Sequence, residues 1–238
     1  MYKRQKANEL IAYDELTKDE YSIKVRNTPL LSGNSKTEYS FNMPLMTCQY
    51  TTSICRRHCY ACKGHFVYKN VINAGMRRFI KITRESLDDL VKEMIMEIPW
   101  GIKHFRWNGT GDFTAKTLML LNAVADIRKD IKFYAYTRDP YLASFLNRKV
   151  TLNFSVDKES MWKLKELKHP AVLVNYLKTD IDEQVPKEVG LVHPLNNKIR
   201  IAENDIKSCP YAVTKGKIKC DQCKICIKPK KSKLLNLL

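Results

Sequence analysis

The chain has 238 residues, 44% of them hydrophobic and 10% aromatic, which is enough for one sizeable packed domain or two small ones and excludes disorder throughout. Lysine and arginine outnumber acids 42 to 25, and the formal charge of +17 attracts phosphate, so nucleic acid or a nucleotide is the expected partner; a lysine-rich solvated surface is the plainer alternative. No apolar run reaches the roughly 18 residues of a membrane span, and no apolar stretch follows the basic residues 1–6 as it would in a secretion signal. The expected location is therefore the cytoplasm, with no membrane partner. Thiols stay reduced there, and clustered cysteines read as metal ligands rather than disulfides.

Residues 1–36 are polar and charged, and read as an N-terminal arm with a short helix over 8–16. Residues 37–46 alternate polar and apolar at Tyr39, Phe41, Met43 and Leu45, the period of a first strand. A cysteine loop over 48–64 follows. Apolar residues from Met76 to Ile98 recur at helical spacing, and Pro99 stops them. Residues 102–107 read as a strand closed by Gly109, Thr110, Gly111 and Asp112. A helix over 114–128 and a strand over 131–137 come next. Asp139-Pro140 pairs an N-cap with proline at the first helical position, which starts a short helix. Residues 150–156 read as a strand and 158–168 as a helix. Strands over 171–176 and 189–193 complete the pattern.

Six strands alternating with helices predict an α/β fold with mostly parallel strands. A partial (βα)6-type barrel over 37–200 and a doubly wound sheet both satisfy the alternation. In either, chemistry sits at the carboxyl ends of the strands, so the cysteine loop and the Gly109–Asp112 turn are expected on one rim. Residues 201–238 read as a small cysteine-rich module that folds around a metal, ending in a basic and then leucine-rich tail. Trp100, Trp107 and Trp162 are expected in the core.

Eight cysteines fall into two groups of four, Cys48, Cys55, Cys59 and Cys62 near the start and Cys209, Cys220, Cys223 and Cys226 near the end. Cys55, Cys59 and Cys62 are spaced C-x3-C-x2-C. Three thiolates on one loop bind three irons of a [4Fe–4S] cluster and leave the fourth open; adding Cys48 closes the site or makes a four-thiolate zinc knuckle. The late group, C-x10-C-x2-C-x2-C, suits a second cluster or a structural zinc. Asp112 either meets a bound cofactor or caps the helix at Thr114. Ser155 and Asp157 alternate with Asn153 on one strand face and suit ribose hydroxyls, with Asp157 as a helix cap the alternative. Arg106, Asn108 and the Tyr136-Thr137-Arg138 strand end are further rim candidates. His58 and His65 read as solvated loop histidines.

The C-x3-C-x2-C spacing after the first strand resembles the radical S-adenosylmethionine enzyme pattern. The resemblance implies a [4Fe–4S] cluster, S-adenosylmethionine, an electron donor, and a glycine turn that meets the methionine amine where Gly109–Asp112 stands. A second set of blocks runs in order over about residues 28–227: L-L-S-G-N-S-K-T at 30–37, the cysteine loop, F-R-W-N-G-T-G-D-F at 105–113, Y-T-R at 136–138 and the final cysteines. Together they resemble the phage gene-product-eighty-eight family. That resemblance implies a phage or mobile-element context, hence the host cytoplasm, and points to Cys48, Cys55 and Cys59 with Cys62 extra.

Overall fold

The computed structural model describes residues 1–18, 22–34, 38–169, 172–180, 184–186, 189–194, 202–203, 206–214 and 217–227. The expected frayed or docked end over 228–238 lies outside them. Two helices, α1 (Tyr2–Lys18) and α2 (Ile23–Arg26), lead into strands β1 (Leu31–Asn34) and β2 (Glu38–Phe41). A 3-10 turn (Leu45–Thr47), helix α3 (Ser53–His58) and further 3-10 turns (Tyr60–Cys62, Gly64–Val67) build the cysteine loop. Then come α4 (Lys69–Arg84), α5 (Leu87–Glu97), β3 (His104–Trp107), α6 (Ala115–Ile127), β4 (Lys132–Thr137), α7 (Pro140–Ser144) and β5 (Thr151–Val156). A 3-10 turn (Met161–Glu166) precedes β6 (Val172–Lys178), β7 (Leu191–Pro194), β8 (Ala202–Glu203), β9 (Ile206–Ser208), α8 (Pro210–Val213) and α9 (Cys220–Cys223).

The strands form one sheet in the order β1-β2-β3-β4-β5-β6-β7-β9-β8. The run from β2 to β7 and on to β9 is parallel, and β1 and β8 are antiparallel edges. The expected six parallel strands are thus seven. Among the described residues the seven parallel strands follow one another in a single direction, with no topological switch point, so the sheet is not doubly wound. Right-handed crossovers in one direction put every crossover helix on one face.

That face is the apolar core. Phe41, Phe105, Trp107, Phe133, Ala135, Leu152, Phe154, Val156, Val174 and Val192 point into it, and Phe41 stacks on Trp107 with ring centroids 4.2 Å apart. The opposite face is polar. Ser40 pairs with Arg106 and Arg106 with Tyr134; Tyr136 pairs with Asn153, Ser155 with Asn175 and Leu177 with His193. Of the three tryptophans only Trp107 is core; Trp100 is 90% and Trp162 56% exposed, because each sits in the irregular chain after a helix or strand.

Four elements differ from expectation. The first helix runs from Tyr2 rather than residue 8 because it packs along α4. The strand over 37–46 stops at Phe41 and is the second half of a hairpin with β1. The helix over 76–98 is two helices, because Ser86 accepts a hydrogen bond from Asp89 N and starts a new one. The helix over 158–168 is only a 3-10 turn. Among the described residues no helix is long and apolar enough to cross a membrane.

Gly111 has φ +71° and its missing Cβ would sit 2.5 Å from the Met43 carbonyl oxygen, whereas Gly64, at φ +57°, faces open space. Gly64→Ala is expected to cost about 1 kcal/mol from backbone strain alone. Gly111→Ala is expected to cost about 3 kcal/mol or more, since strain adds to a backbone clash. Urea denaturation of the two variants side by side measures the difference.

Candidate metal centre at the cysteine loop

Each end of the cysteine loop is tied down by a polar side chain from elsewhere. Glu9 on α1 accepts from Leu45 N and Met46 N, both at 2.9 Å, and so anchors the 3-10 turn that delivers Cys48. Thr47 Oγ1 accepts from Asp112 N at 2.9 Å. Thr52 caps α3 by accepting from Cys55 N at 2.9 Å, and its hydroxyl donates to Asp157 Oδ2 at 2.6 Å. Ser53 N donates to Glu159 Oε2 at 2.8 Å, and Lys163 Nζ to Tyr50 O at 3.1 Å. The Tyr60 hydroxyl donates to the Gly109 carbonyl. The loop following β2 is therefore pinned to the chain ends following β3 and β5.

The Gly109–Asp112 turn is packed against the segment after β2. Gly109 N donates to Phe41 O at 3.1 Å, Thr110 N to Asn42 Oδ1 at 3.1 Å and Thr110 Oγ1 to Met43 O at 3.0 Å. A Cβ on Gly109 would fall 2.1 Å from Asn42 Oδ1, so no other residue fits there without moving that side chain. Asp112 does not cap α6; Thr114 does, in a reciprocal pair with Thr117. Asp112 instead accepts from Thr137 Oγ1 at 2.5 Å and from Arg138 N at 3.0 Å, joining the ends of β3 and β4. Burial pushes its carboxyl up to about 6, although the bonds from Thr137, Arg138 N and Phe113 N pull the other way.

Asp157, at the end of β5, is fully buried. Besides Thr52 it takes Arg138 Nη1 at 2.8 Å on Oδ2, and Glu159 N at 3.1 Å and Ser160 Oγ at 3.0 Å on Oδ1. It organises the turn after β5 rather than capping a long helix. Ser155 lies two residues earlier on the polar face, half-buried, in register with Asn175.

The four early thiols share one neighbourhood. Burial pushes Cys48 well above the usual thiol range, and Asp112, Cys55 and Cys59 add to it. Cys55 is raised by burial, with Arg138 opposing. Cys59 rises to about 12 through burial and Cys62, to which it is hydrogen-bonded. Tyr2 of α1 covers the group, its own hydroxyl pushed to about 12 by burial and then Cys48. Among the described residues no three His, Cys, Asp or Glu side chains stand together at metal-ligand spacing. The donor set still fits a thiophilic centre, because four soft sulfurs lie in mutual electrostatic range with a guanidinium beside them to balance thiolate charge.

The late cysteines lie on the polar sheet face, away from the cysteine-loop rim. Asn153 Nδ2 donates to Cys226 O at 3.0 Å and Thr151 Oγ1 to Ile227 O at 3.2 Å. Burial pushes Cys226 up to about 12, offset in part by a hydrogen bond with Tyr136, and Cys209 and Cys220 stand within electrostatic range.

The four early cysteines, Gly109–Asp112, Asp157 and Arg138 thus lie near one another. His58 is a half-buried loop residue held below the usual histidine range by burial, Lys63 and Arg57, and His65 is exposed. Glu9, Thr47, Thr52 and Tyr60 were not legible as site residues. A Thr-Ser pair before a short helix signals a cap for Thr52, but nothing local marks Glu9. Around the loop the surface is basic and aromatic: Arg56, Arg57, Lys63, His65, Tyr68 and Lys69 are exposed, as is much of Tyr60.

The family model described as Gene product 88 matches residues 5–229. The chain belongs to the Gene product 88 family, which fits the phage or mobile-element context that its sequence blocks imply. Neither the curated proteins nor the solved structures contain a match.

Two outcomes test this site. Thr52→Val removes a bond to a buried carboxylate and a helix cap, and is expected to lower stability by about 2–4 kcal/mol in urea denaturation. The Asp112 carboxyl is raised in the folded state, so the folded chain holds its proton where the unfolded chain has lost it. Its contribution is full below about pH 4 and is lost as pH rises towards 6. The stability of the metal-free chain relative to Asp112→Asn should fall across that window and level off above it.

Proposed function

We propose that this member of the Gene product 88 family is an iron–sulfur enzyme of the radical S-adenosylmethionine type, acting on a nucleic acid or nucleotide. One observation carries the reading: the cysteine loop is bonded to the glycine turn after β3 and to the end of β5, which holds it at the rim where a parallel sheet does its chemistry. The unreversed strand order, with one polar face and the helices on the other, fits a partial (βα) barrel with that face inside.

Three of Cys48, Cys55, Cys59 and Cys62 would hold a [4Fe–4S] cluster, which when bound supplies one-electron reduction of S-adenosylmethionine, fed by an external electron donor. Arg138 lies beside Cys55 and offsets thiolate charge. Asp157 already accepts four hydrogen bonds, so it positions the loop and Arg138. Gly109, Thr110, Gly111 and Asp112 would form the wall that a bound methionine moiety meets, and Ser155, half-buried on the polar face, would offer its hydroxyl to a ribose. Exposed Arg56, Arg57, Lys63 and Tyr68 on the outer surface of the loop suit a phosphate backbone and its bases. The same surface favours one rival, a non-catalytic nucleic-acid-binding protein whose loop is held by zinc or by a closed cluster.

Anaerobic purification with iron, sulfide and zinc analysis separates the two. The enzyme reading expects about four irons at this loop, loss of that iron in Cys55→Ser, and formation of 5′-deoxyadenosine from S-adenosylmethionine under reduction. Zinc in place of iron at the loop, or iron without 5′-deoxyadenosine, would sink it. Iron retained in Cys48→Ala would assign the ligands to Cys55, Cys59 and Cys62.

A further inference from the structure

The polar sheet face carries a second arrangement that the cysteine-loop site does not use. The C-terminal segment is laid onto this face by an apolar seam and a polar ladder. Leu173 and Leu191 pack with Cys209, Tyr211, Ile225 and Cys226. His193 Nε2 meets Asn175 Oδ1 at 3.1 Å, Asn175 Nδ2 donates to Asn153 Oδ1 at 3.1 Å, and Asn153 Nδ2 holds the Cys226 carbonyl. Cys209 N donates to Val192 O at 2.8 Å, fixing the other end of the segment. Lys224, at φ +56°, turns the chain tightly between Cys223 and Cys226.

Between segment and sheet lies a cavity of about 20 Å³, lined by Tyr134, Tyr136 and all four late cysteines, Cys209, Cys220, Cys223 and Cys226. That is room for about one water-sized body. A core of four irons and four sulfides is far bulkier, whereas a single ion drawing four thiolates inward is not. Behind the cavity stands Arg106. Its guanidinium lies 4.6 Å over the Tyr136 ring, Nη2 is 3.5 Å from Gly109 O, and Nε is buried with no hydrogen-bond partner. Among the described residues no carboxylate pairs with it. A half-buried cation without a carboxylate needs negative charge nearby, and a divalent ion with four thiolates carries it.

We infer that the C-terminal module closes on one tetrahedral zinc ion held by Cys209, Cys220, Cys223 and Cys226, with the Tyr136 hydroxyl bonded to the Cys226 sulfur and Arg106 balancing the charge behind it. Tyr136 and Arg106 are positioning residues, since neither touches the metal. The site does not depend on what the early cysteines bind.

Metal analysis of the full chain tests it, with Cys55→Ser separating the two centres. Cys55→Ser should keep about one zinc per chain, and Cys223→Ser should lose it. Cobalt in its place should give tetrahedral bands and thiolate charge transfer. Arg106→Gln should weaken zinc retention against a chelator by about 10–100-fold, with Arg106→Lys partly restoring it; should Cys223→Ser fail to fold, this pair and the cobalt spectrum decide. Iron and sulfide retained in Cys55→Ser, or a folded chain without metal in the module, would overturn the inference. Failure at the early loop alone would leave this zinc in place.

Discussion

The fully buried carboxylate of Asp157 is the point on which the arrangement of the rim depends. One side chain at the end of β5 accepts from the cap of α3, from the guanidinium after β4, and from its own turn. Burying a charge costs several kcal/mol unless every lone pair is used, and here they are. Partial loss is worse than total loss in such a network. Without Thr52 the carboxylate keeps Arg138 but loses its bond to the cysteine loop; without Arg138 it keeps three hydrogen bonds but no cation to balance its charge. The thiols are therefore placed by residues that are not ligands. Glu9 does the same at the other end of the loop, through the Leu45 and Met46 N–H groups that a short 3-10 turn leaves unpaired, and Thr47 does so by accepting from Asp112 N.

The sheet sets where such a rim can be. Its strand order proceeds in one direction, so helices accumulate on one side and the other side is left to polar side chains. Arg106, Tyr134, Tyr136, Asn153, Asn175 and His193 would be costly on a buried face unless paired. The late cysteine segment supplies much of that pairing, taking hydrogen bonds from Asn153 and Thr151. The C-terminal module is in this sense a lid on the face that the helices do not cover.

Much of this was legible because parallel pairing is local in its consequences. Two loops that follow strands paired in parallel must emerge side by side, and Ser40 opposite Arg106 puts the cysteine loop beside the glycine turn. The Asp139-Pro140 cap was also readable, and Asp139 does accept from Leu142 N. The same logic misled at Asp157. Its spacing before an apolar stretch suggests a cap, but Thr52, 105 positions away in sequence, and Arg138 claim its oxygens, and the following chain makes only a 3-10 turn. The break at Ser86 shows the reverse: a continuous apolar stripe hides a cap that splits it. Four-residue β1 is too short to carry a period, and β9 pairs beside β7 through contacts that no local pattern encodes.

The two cysteine groups are joined by an unbroken series of contacts. Tyr60, between Cys59 and Cys62, donates to the Gly109 carbonyl; Arg106 reaches the same carbonyl and lies over Tyr136; Tyr136 is bonded to Cys226. A Cβ at Gly109 would displace the Asn42 side chain, so the carbonyl at the middle of this series is packed on its far side. Burial opposes the charge on Arg106, while Tyr60, Tyr136, Tyr134 and Cys220 favour it. The Arg106 guanidinium lies within electrostatic range of Cys220 and Cys226 and favours the thiolate form at Cys226. Substitutions at Arg106 and at Cys220 or Cys226 should therefore not add independently.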